Sequence, residues 1–474
     1  MKGSFVMPLP HTMNLLILGR GTSGLDVARW ALAHPERVSS ITLYGGAQSG
    51  PTPETFELER AGVTCVFGTE DVEGSYDVCV ASPGISEFSP FFASARAHAT
   101  QVMGEPEFAW RLSPERWIGI TGTNGKTTTT ALTAHLLESA GIDAEPVGNI
   151  GDTPTSRVDH RAPDGWFVAE LSSYQLATTE ELHPRVGVLL NITPDHLSWH
   201  RSHEAYARAK CRLFRNMGPR DLAIVDVEDE GARQVLPLVE DGGRRVLSLG
   251  LADAGGADAA FVRDGVLTVR LAGAETALVR TDELKIQGAH NWLNALAAAA
   301  AALFVGADAS GVRAGLASFA ALPHRIEPVG CVDGVRYFND SKATNTDAVE
   351  KALTAFPTER VVLLIGGSDK GTPLEEFART VMGSTVGAIV CFGAARGRFL
   401  EAFRAAEGAS AVDLAEAENL RDAVDVAHTL AESGDVVLLS PACASFDEFS
   451  GFEERGDRFR SYVSELAASD PSER

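Results

Sequence analysis

Short apolar runs alternate with helix-forming stretches along almost the whole chain. The first series opens at Met13–Leu18 and continues with Val38–Tyr44 and Tyr76–Ala81. A second begins at Trp117–Ile120 and includes Trp166–Leu171 and Val186–Ile192. A third carries Val361–Ile365, Ala388–Phe392 and Val436–Ser440, separated by Ala/Glu/Arg-rich stretches. Apolar strands in alternation with helices predict parallel sheets covered by helices on both faces. The Ala-rich segment Asn294–Phe304 predicts a helix that follows Asn291 as its cap. The breaks Gly104-Glu105-Pro106 and Leu322-Pro323-His324 divide the three series. The expected fold class is therefore α/β in three domains, 1–103, 104–322 and 323–474, each with a mainly parallel sheet flanked by helices. The first and last are expected to be Rossmann-like and the central one P-loop ATPase-like.

Length agrees with this division, because 474 residues are too many for one hydrophobic core. With 45% hydrophobic and 22% charged residues the composition is that of a globular protein, not a disordered one. A formal charge of −23 lacks the basic footprint of a nucleic-acid or membrane-surface binder. It leaves room for a phosphate-bearing small molecule held by a few local cations and N–H groups. The six cysteines are scattered without a Cys-x-x-Cys pair and read as reduced thiols. The run Leu15 to Leu18 is too short for a signal-peptide core, and no run approaches the ~20 apolar residues of a membrane span. A cytoplasmic protein without membrane insertion or nucleic-acid partner is expected.

The strongest chemical signal is Trp117-Ile118-Gly119-Ile120-Thr121-Gly122-Thr123-Asn124-Gly125-Lys126-Thr127-Thr128. A strand runs into a Gly-rich loop, and a Lys-Thr pair opens a helix. Converging backbone N–H groups and the helix N-terminus suit a polyphosphate, which Lys126 can reach, while the Thr127 hydroxyl can bind magnesium. Ile120 stands where the usual leading glycine would be, and Gly122 supplies the flexibility. An ordinary Gly-Thr turn is the competing reading. Near the N-terminus, Gly19-Arg20-Gly21-Thr22-Ser23-Gly24 follows the first strand and matches the dinucleotide fingerprint. Tyr44-Gly45-Gly46 lacks the acidic residue that would take nicotinamide ribose hydroxyls, so a nucleotide diphosphate other than NAD is favoured. Ser82-Pro83-Gly84 ends another strand and either lines the same crevice or is a plain Pro-Gly turn.

Glu170 and His196, in Asn191-Ile192-Thr193-Pro194-Asp195-His196, follow strands of the second series. A carboxylate and an imidazole at that sheet edge are placed to ligate magnesium beside the nucleotide. Lys210, within Tyr206-Ala207-Arg208-Ala209-Lys210, reads locally as an exposed helix lysine. In the third series, Asn339-Asp340-Ser341-Lys342-Ala343-Thr344-Asn345 follows the run Val335–Phe338. Gly366-Gly367-Ser368-Asp369-Lys370 and Ser440-Pro441-Ala442-Cys443-Ala444-Ser445 end further strands. Loops at one sheet edge converge on a crevice, although plain βα turns would look the same.

Together these segments resemble the Mur ligase family, the ATP-dependent amide ligases of peptidoglycan precursor synthesis, from Gly19 to about Arg455. The phosphate loop and Asn191–His196 are similar to motifs shared across the family and its folylpolyglutamate synthetase relatives. Glu170-Leu171-Ser172-Ser173-Tyr174-Gln175-Leu176, His324-Arg325, Asn339–Asn345 and Ser440–Ser445 resemble its D-glutamate-adding branch. No Asp-Tyr-Ala-His segment of the diaminopimelate- or lysine-adding branch is present in place of Asn339 to Thr344.

The resemblance implies that ATP phosphorylates the alanyl carboxylate of UDP-N-acetylmuramoyl-L-alanine and that the amine of D-glutamate attacks the acyl phosphate. It further implies a monomer and two Mg2+ ions, held by Thr127, Glu170, His196 and a carbamylated Lys210. Gly122, Thr123, Asn124, Gly125, Lys126, Thr127, Thr128, Asn291, Arg325 and Asp340 would bind ATP. Gly19, Gly21, Thr22, Ser82, Pro83, Gly84, Asn149 and Ser172 would bind the UDP-substrate, and Thr344, Lys370, Ser445 and Phe452 the glutamate. Lys126, His196, Lys210 and Lys342 are the implied catalytic groups. A folylpolyglutamate synthetase-like ligase, or a P-loop NTPase or kinase with an NAD-type first domain, is the alternative. Tyr44-Gly45-Gly46 departs from the acidic and small polar residues that many relatives place against the uracil ribose.

Overall fold

The computed structural model describes residues 8–195, 197–286, 288–320, 322–369, 371–406 and 411–469. Strands β1 (Met13–Leu18), β2 (Val38–Tyr44), β3 (Thr64–Val66), β4 (Tyr76–Ala81) and β5 (Ala99–Gly104) form an all-parallel sheet in the order β3-β2-β1-β4-β5. Successive residues of β1 serve opposite layers, as the two-residue period of a strand requires. Met13, Leu15 and Ile17 pack with Val27 and Trp30 of the helix Thr22–Ala33. Leu16 and Leu18 pack with Phe91, Phe92 and Ala95 of the helix Pro90–His98. An unbroken apolar run is thus the mark of a strand covered on both sides.

The second sheet contains β6 (Trp117–Thr121), β7 (Ala144–Gly148), β8 (Trp166–Glu170), β9 (Val186–Leu189), β10 (Leu222–Asp226), β11 (Arg245–Leu249), β12 (Ala259–Arg263), β13 (Val266–Leu271) and β14 (Ala274–Arg280). Its order is β14-β13-β12-β11-β10-β9-β6-β8-β7. All pairs from β7 to β12 are parallel, but β12, β13 and β14 form an antiparallel meander that the apolar runs did not predict. The cause is local. Asp264-Gly265 and Ala272-Gly273 each join neighbouring strands through two residues with positive φ, the backbone of a tight hairpin turn.

The third sheet has β15 (Glu327–Val332), β16 (Val335–Asn339), β17 (Val361–Gly366), β18 (Val386–Phe392), β19 (Asp413–Glu416) and β20 (Val436–Ala442), in the order β15-β16-β20-β17-β18-β19. Only β15 is antiparallel, again through a two-residue turn, Asp333-Gly334, with positive φ at both positions. Leu363 and Ile365 face helices Thr346–Leu353 and Glu375–Met382, whereas Val362 and Leu364 face helices Leu420–Leu430 and Phe452–Ser469. The first two sheets belong to one compact unit, Met1–Leu284 with Leu293–Ser318. The third belongs to another, Lys285–Trp292 with Phe319–Arg474. The Ala-rich helix starts earlier than expected, at Ala289, so Asn291 lies inside its first turn instead of capping it. No described helix is long and apolar enough to cross a membrane.

The fingerprint glycines differ in how strictly their positions exclude side chains. A Cβ on Gly24 would lie 2.0 Å from the Gly19 carbonyl oxygen, whereas one on Gly21 would meet nothing within 4 Å. Gly24→Ala is therefore expected to destabilise the first sheet by about 1–3 kcal/mol, read as a lower melting midpoint, with Gly21→Ala close to wild type. Equal midpoints for the two variants would show that the strand–helix crossing is not closely packed.

Candidate functional site

β6 ends at Thr121 and the next helix, Lys126–Ser139, starts at Lys126, so Gly122–Gly125 is the entire connection. Gly125 has φ +81°, and a Cβ there would lie 2.5 Å from Asn294 Oδ1. Only glycine meets both conditions cheaply. Neighbouring segments pin the loop. The Thr123 N–H donates to the Asn191 carbonyl at 2.9 Å, and the Asn124 N–H donates to Asn191 Oδ1 at 2.7 Å. Thr123 Oγ1 meets the Tyr206 hydroxyl at 2.8 Å. Lys126 Nζ donates to the Thr123 carbonyl at 2.7 Å, which folds its ammonium back over the loop. Thr127 and Thr128 continue the first helical turn, whose N–H groups have no intrahelical acceptor and favour an anion.

Glu170 ends β8, beside β6, and is buried. Its Oε1 accepts from Asn149 Nδ2 at 2.9 Å, while Oε2 is buried without a hydrogen-bond partner. A buried acceptor left unmatched costs about 1–3 kcal/mol. A hard cation next to a phosphate loop would remove that cost, so the carboxylate fits magnesium chemically. Among the described residues no three His, Cys, Asp or Glu side chains gather into a metal cage. A magnesium ion here would keep water or phosphate oxygens around it, its usual preference. His196, expected to share in this site, lies outside the described residues.

Lys210 is not the surface residue that its helix suggested. It is only 1% exposed, and its Nζ donates to the Gly122 carbonyl at 2.7 Å and sits 4.5 Å from the centre of the Tyr206 ring. Burial, reinforced by the charge of Lys126, pushes its pKa well below the ordinary lysine value against the opposing pull of Asp195 and Glu170. Ser172 caps the helix Ser173–Ala177 in a reciprocal box with Gln175.

In the first sheet, Gly19 takes φ +93° and a Cβ would lie 2.7 Å from Ser82 Oγ, so the loops after β1 and β4 touch. Ser82 Oγ is buried without a hydrogen-bond partner, and Pro83 and Gly84 follow it at the same edge. Gly21 caps the helix that begins at Thr22. Tyr44 is a core residue whose hydroxyl accepts from the Glu73 N–H at 3.1 Å.

The third sheet gathers its own set. Arg325 lies between His324 and Ile326, which have φ of +63° and +45°. The Ile326 N–H donates to Asp340 Oδ1 at 3.3 Å, and Ser440 Oγ donates to Asp340 Oδ2 at 2.8 Å. Burial pushes the Asp340 carboxyl up to about 7 in spite of these donors and Arg325. Lys342 Nζ lies 3.6 Å from the centre of the Phe452 ring, a close cation–π contact. Thr344 precedes Asn345, the cap of the helix Thr346–Leu353, and Ser445 is buried beyond the end of β20. Asn291 is buried in the same unit. Lys370 lies outside the described residues. Sequence reasoning missed the supports of the phosphate loop: the Asn191 side chain, Tyr206 and Asn294. A polar Asn just ahead of the alanine run of the Ala-rich helix was the available signal for Asn294.

Residues 120–302 match the family described as "Mur ligase middle domain", and residues 324–443 match "Mur ligase, glutamate ligase domain". The chain belongs to the Mur ligase family. This Mur ligase is 40% identical over 460 residues to the UDP-N-acetylmuramoylalanine--D-glutamate ligase of Pelotomaculum thermopropionicum, covering 95% of this chain and 97% of that one. It is 37% identical over 453 residues to the enzyme of the same name from Symbiobacterium thermophilum, covering 95% and 98%. Among solved structures, MurF from Acinetobacter baumannii shares the fold with a TM-score of 0.61 at 17% identity, covering 96% of this chain and 93% of that one.

Asp340 gives a pH test of the site's electrostatics. Its carboxyl rises from an ordinary 3.8 to about 7 on folding, so the folded protein binds a proton that the unfolded chain has lost. The stability contributed by this group is complete below about pH 4 and lost as pH climbs to about 7. Asp340→Asn is expected to flatten that part of the melting-midpoint profile of the ligand-free protein. An unaltered profile would place the titration elsewhere.

Proposed function

We propose that this Mur ligase joins D-glutamate to the alanyl carboxyl of UDP-N-acetylmuramoyl-L-alanine at the expense of ATP, in cytoplasmic peptidoglycan precursor synthesis. The observation that carries this reading is a pinned phosphate loop with a partnerless buried oxygen of Glu170 and the low-pKa amine of Lys210 at one sheet edge. Near-full-length likeness to ligases of that name supports the choice of substrates. The assigned domains are 1–103 for the UDP-substrate, 104–322 for ATP and 323–474 for the amino acid, in a monomer.

The reaction must bring three anionic reactants together and neutralise charge on the transferred phosphoryl group. The loop Gly122–Thr128 cradles the phosphates, with Lys126 supplying a mobile positive charge. Asn291, Arg325 and Asp340 contact base, phosphate and ribose. Gly19, Gly21, Thr22 and Ser82–Gly84 hold the UDP diphosphate end, and Asn149 and Ser172 the muramoyl end. The alanyl carboxylate attacks the γ-phosphorus and ADP leaves. The glutamate amine, held through Thr344, Lys370, Ser445 and Phe452, then attacks the acyl carbon, loses a proton and expels inorganic phosphate. Lys342 stabilises charge on that phosphate.

Two magnesium ions would be held by Thr127, Glu170, His196 and a carbamate on Lys210, and they would supply further charge neutralisation. Carbamylation needs a neutral amine: Nζ attacks carbon dioxide, a C–N bond forms and a proton passes to water. The depressed pKa of Lys210 favours that form.

Phosphate release is expected to require both UDP-N-acetylmuramoyl-L-alanine and D-glutamate, with oxygen label passing from the alanyl carboxyl to the phosphate. An equal rate with ATP alone would reject the assignment. Lys126→Ala should cost roughly 3–4 kcal/mol of transition-state stabilisation in kcat/KM. Lys210→Ala should be inactive and partly restored by short carboxylates; a fully active variant would remove the carbamate.

A further inference from the structure

One buried cation has no part in this scheme. Arg455, in the first turn of the helix Phe452–Ser469, is 0% exposed. Its guanidinium donates to four neutral acceptors. Nε reaches Ser341 Oγ at 2.9 Å and Nη2 reaches the Ser341 carbonyl at 2.8 Å. Nη2 also reaches the Cys443 carbonyl at 3.0 Å, and Nη1 the Ala444 carbonyl at 3.2 Å. Burial lowers its pKa only to about 10, so the group stays charged at neutral pH. Burying a guanidinium is costly even with the carboxylates of Asp447, Glu448 and Asp340 pulling the other way, and an apolar side chain of similar size would fill the space without that cost. The five fixed donors of the planar fork do what no apolar group can. They tie the segment after β16, which carries Lys342, to the segment after β20, which carries Ser445.

Two features of the backbone lie beside this tie. Ala442, just before the clamped Cys443, has φ +58°, a conformation costly for a residue with a Cβ that persists only where surroundings enforce it. The Ala444 carbonyl is turned toward Arg455 and also accepts from the Ser368 N–H at 2.8 Å. In a trans peptide the N–H of the next residue points the opposite way. The Ser445 N–H therefore faces away from Arg455, and no described residue accepts from it. The Ser341 hydroxyl completes the arrangement by donating to the Phe452 carbonyl at 2.8 Å.

We propose that Arg455 is a positioning residue for the incoming amino acid, holding the segments after β16 and β20 so that the Ser445 N–H is presented to a carboxylate. This rests on the glutamate-ligating function proposed above. The test is steady-state kinetics with each of the three substrates varied in turn, for the wild type, Arg455→Lys, Arg455→Gly and Ser341→Ala. Arg455→Lys keeps the charge but loses the fork, and its glutamate KM is expected to rise by about tenfold to a hundredfold. The KM values for ATP and the UDP-substrate should stay within about twofold. Ser341→Ala, which removes one acceptor of the fork and the tie to Phe452, should show a smaller shift of the same selectivity. Methylguanidinium added to Arg455→Gly should lower its glutamate KM again. Equal rises in all three KM values, or an unchanged glutamate KM in both Arg455→Lys and Ser341→Ala, would overturn the proposal. Should the Arg455 variants fail to fold, the selectivity of Ser341→Ala decides alone. A wild type without glutamate-dependent phosphate release would instead overturn the function, a result read before any variant is made.

Discussion

The constraint on which this molecule's chemistry depends is the cost of taking charge out of water. Glu170 ends a strand, Asp340 follows one, and Lys210 and Arg455 reach from helices to loops that follow strands; all four are buried. Each meets that cost differently. Lys210 moves toward its neutral form and donates to a carbonyl of the phosphate loop. Asp340 is pushed up until it titrates near neutrality. Arg455 keeps its charge near the carboxylates of Asp447, Glu448 and Asp340 and fills its fork with carbonyl and hydroxyl oxygens. Glu170 leaves one oxygen unmatched. Such groups are poor value as structural cement, because breaking a buried polar network destabilises more than forming it stabilises. Their concentration at one type of sheet edge is the pattern expected where charge has to be handled in a dry, shaped place.

Much of the architecture was legible because buried parallel strands leave an unmistakable trace. β1, β2 and β4 span the residues of their apolar runs, Met13–Leu18, Val38–Tyr44 and Tyr76–Ala81. Strands with mixed composition left none. β7, Ala144–Gly148, contains Glu145 and Pro146 and passes for a loop. The meander β12–β14 was missed for another reason. Its information lies in turn chemistry, in Asp264-Gly265 and Ala272-Gly273, and not in hydrophobic runs. Attention to Asp-Gly pairs would also have located the edge strand β15, which turns at Asp333-Gly334.

The site was legible in proportion to how local its chemistry is. The phosphate loop is one continuous segment, so spacing alone revealed it. Lys210 sits on an ordinary polar-looking helix, and its burial comes from Tyr206 on the same helix and Gly122 almost ninety residues away. The supports of the loop are equally remote: Asn191, after the strand beside β6, bonds Thr123 and Asn124, and Asn294 of the Ala-rich helix fills the space beside Gly125. A motif names the atoms that touch a ligand, but not the residues that fix those atoms in space, and the latter govern precision.

Backbone strain follows the same division. Among the described non-glycine residues with positive φ, Asp264, Ala272 and Asp333 occupy hairpin turns that connect strands. His324, Ile326 and Ala442 do no such duty; they lie at the edge of the third sheet. A β-branched residue with φ +45° costs of order 1–3 kcal/mol, and glycine would relieve it. The strain is held by bonds that converge from the last helix and the strand ends. Glu327 accepts the His324 N–H at 2.8 Å, and Asn339 reaches both His324 Nδ1, at 3.0 Å, and the Gly456 carbonyl, at 3.2 Å. Gly456 must be glycine, since a Cβ would lie 2.1 Å from His324 Nδ1. The pair Arg455-Gly456 therefore joins two requirements in adjacent residues: a charge that clamps the loops from within, and an empty space that lets His324 pack against the same helix.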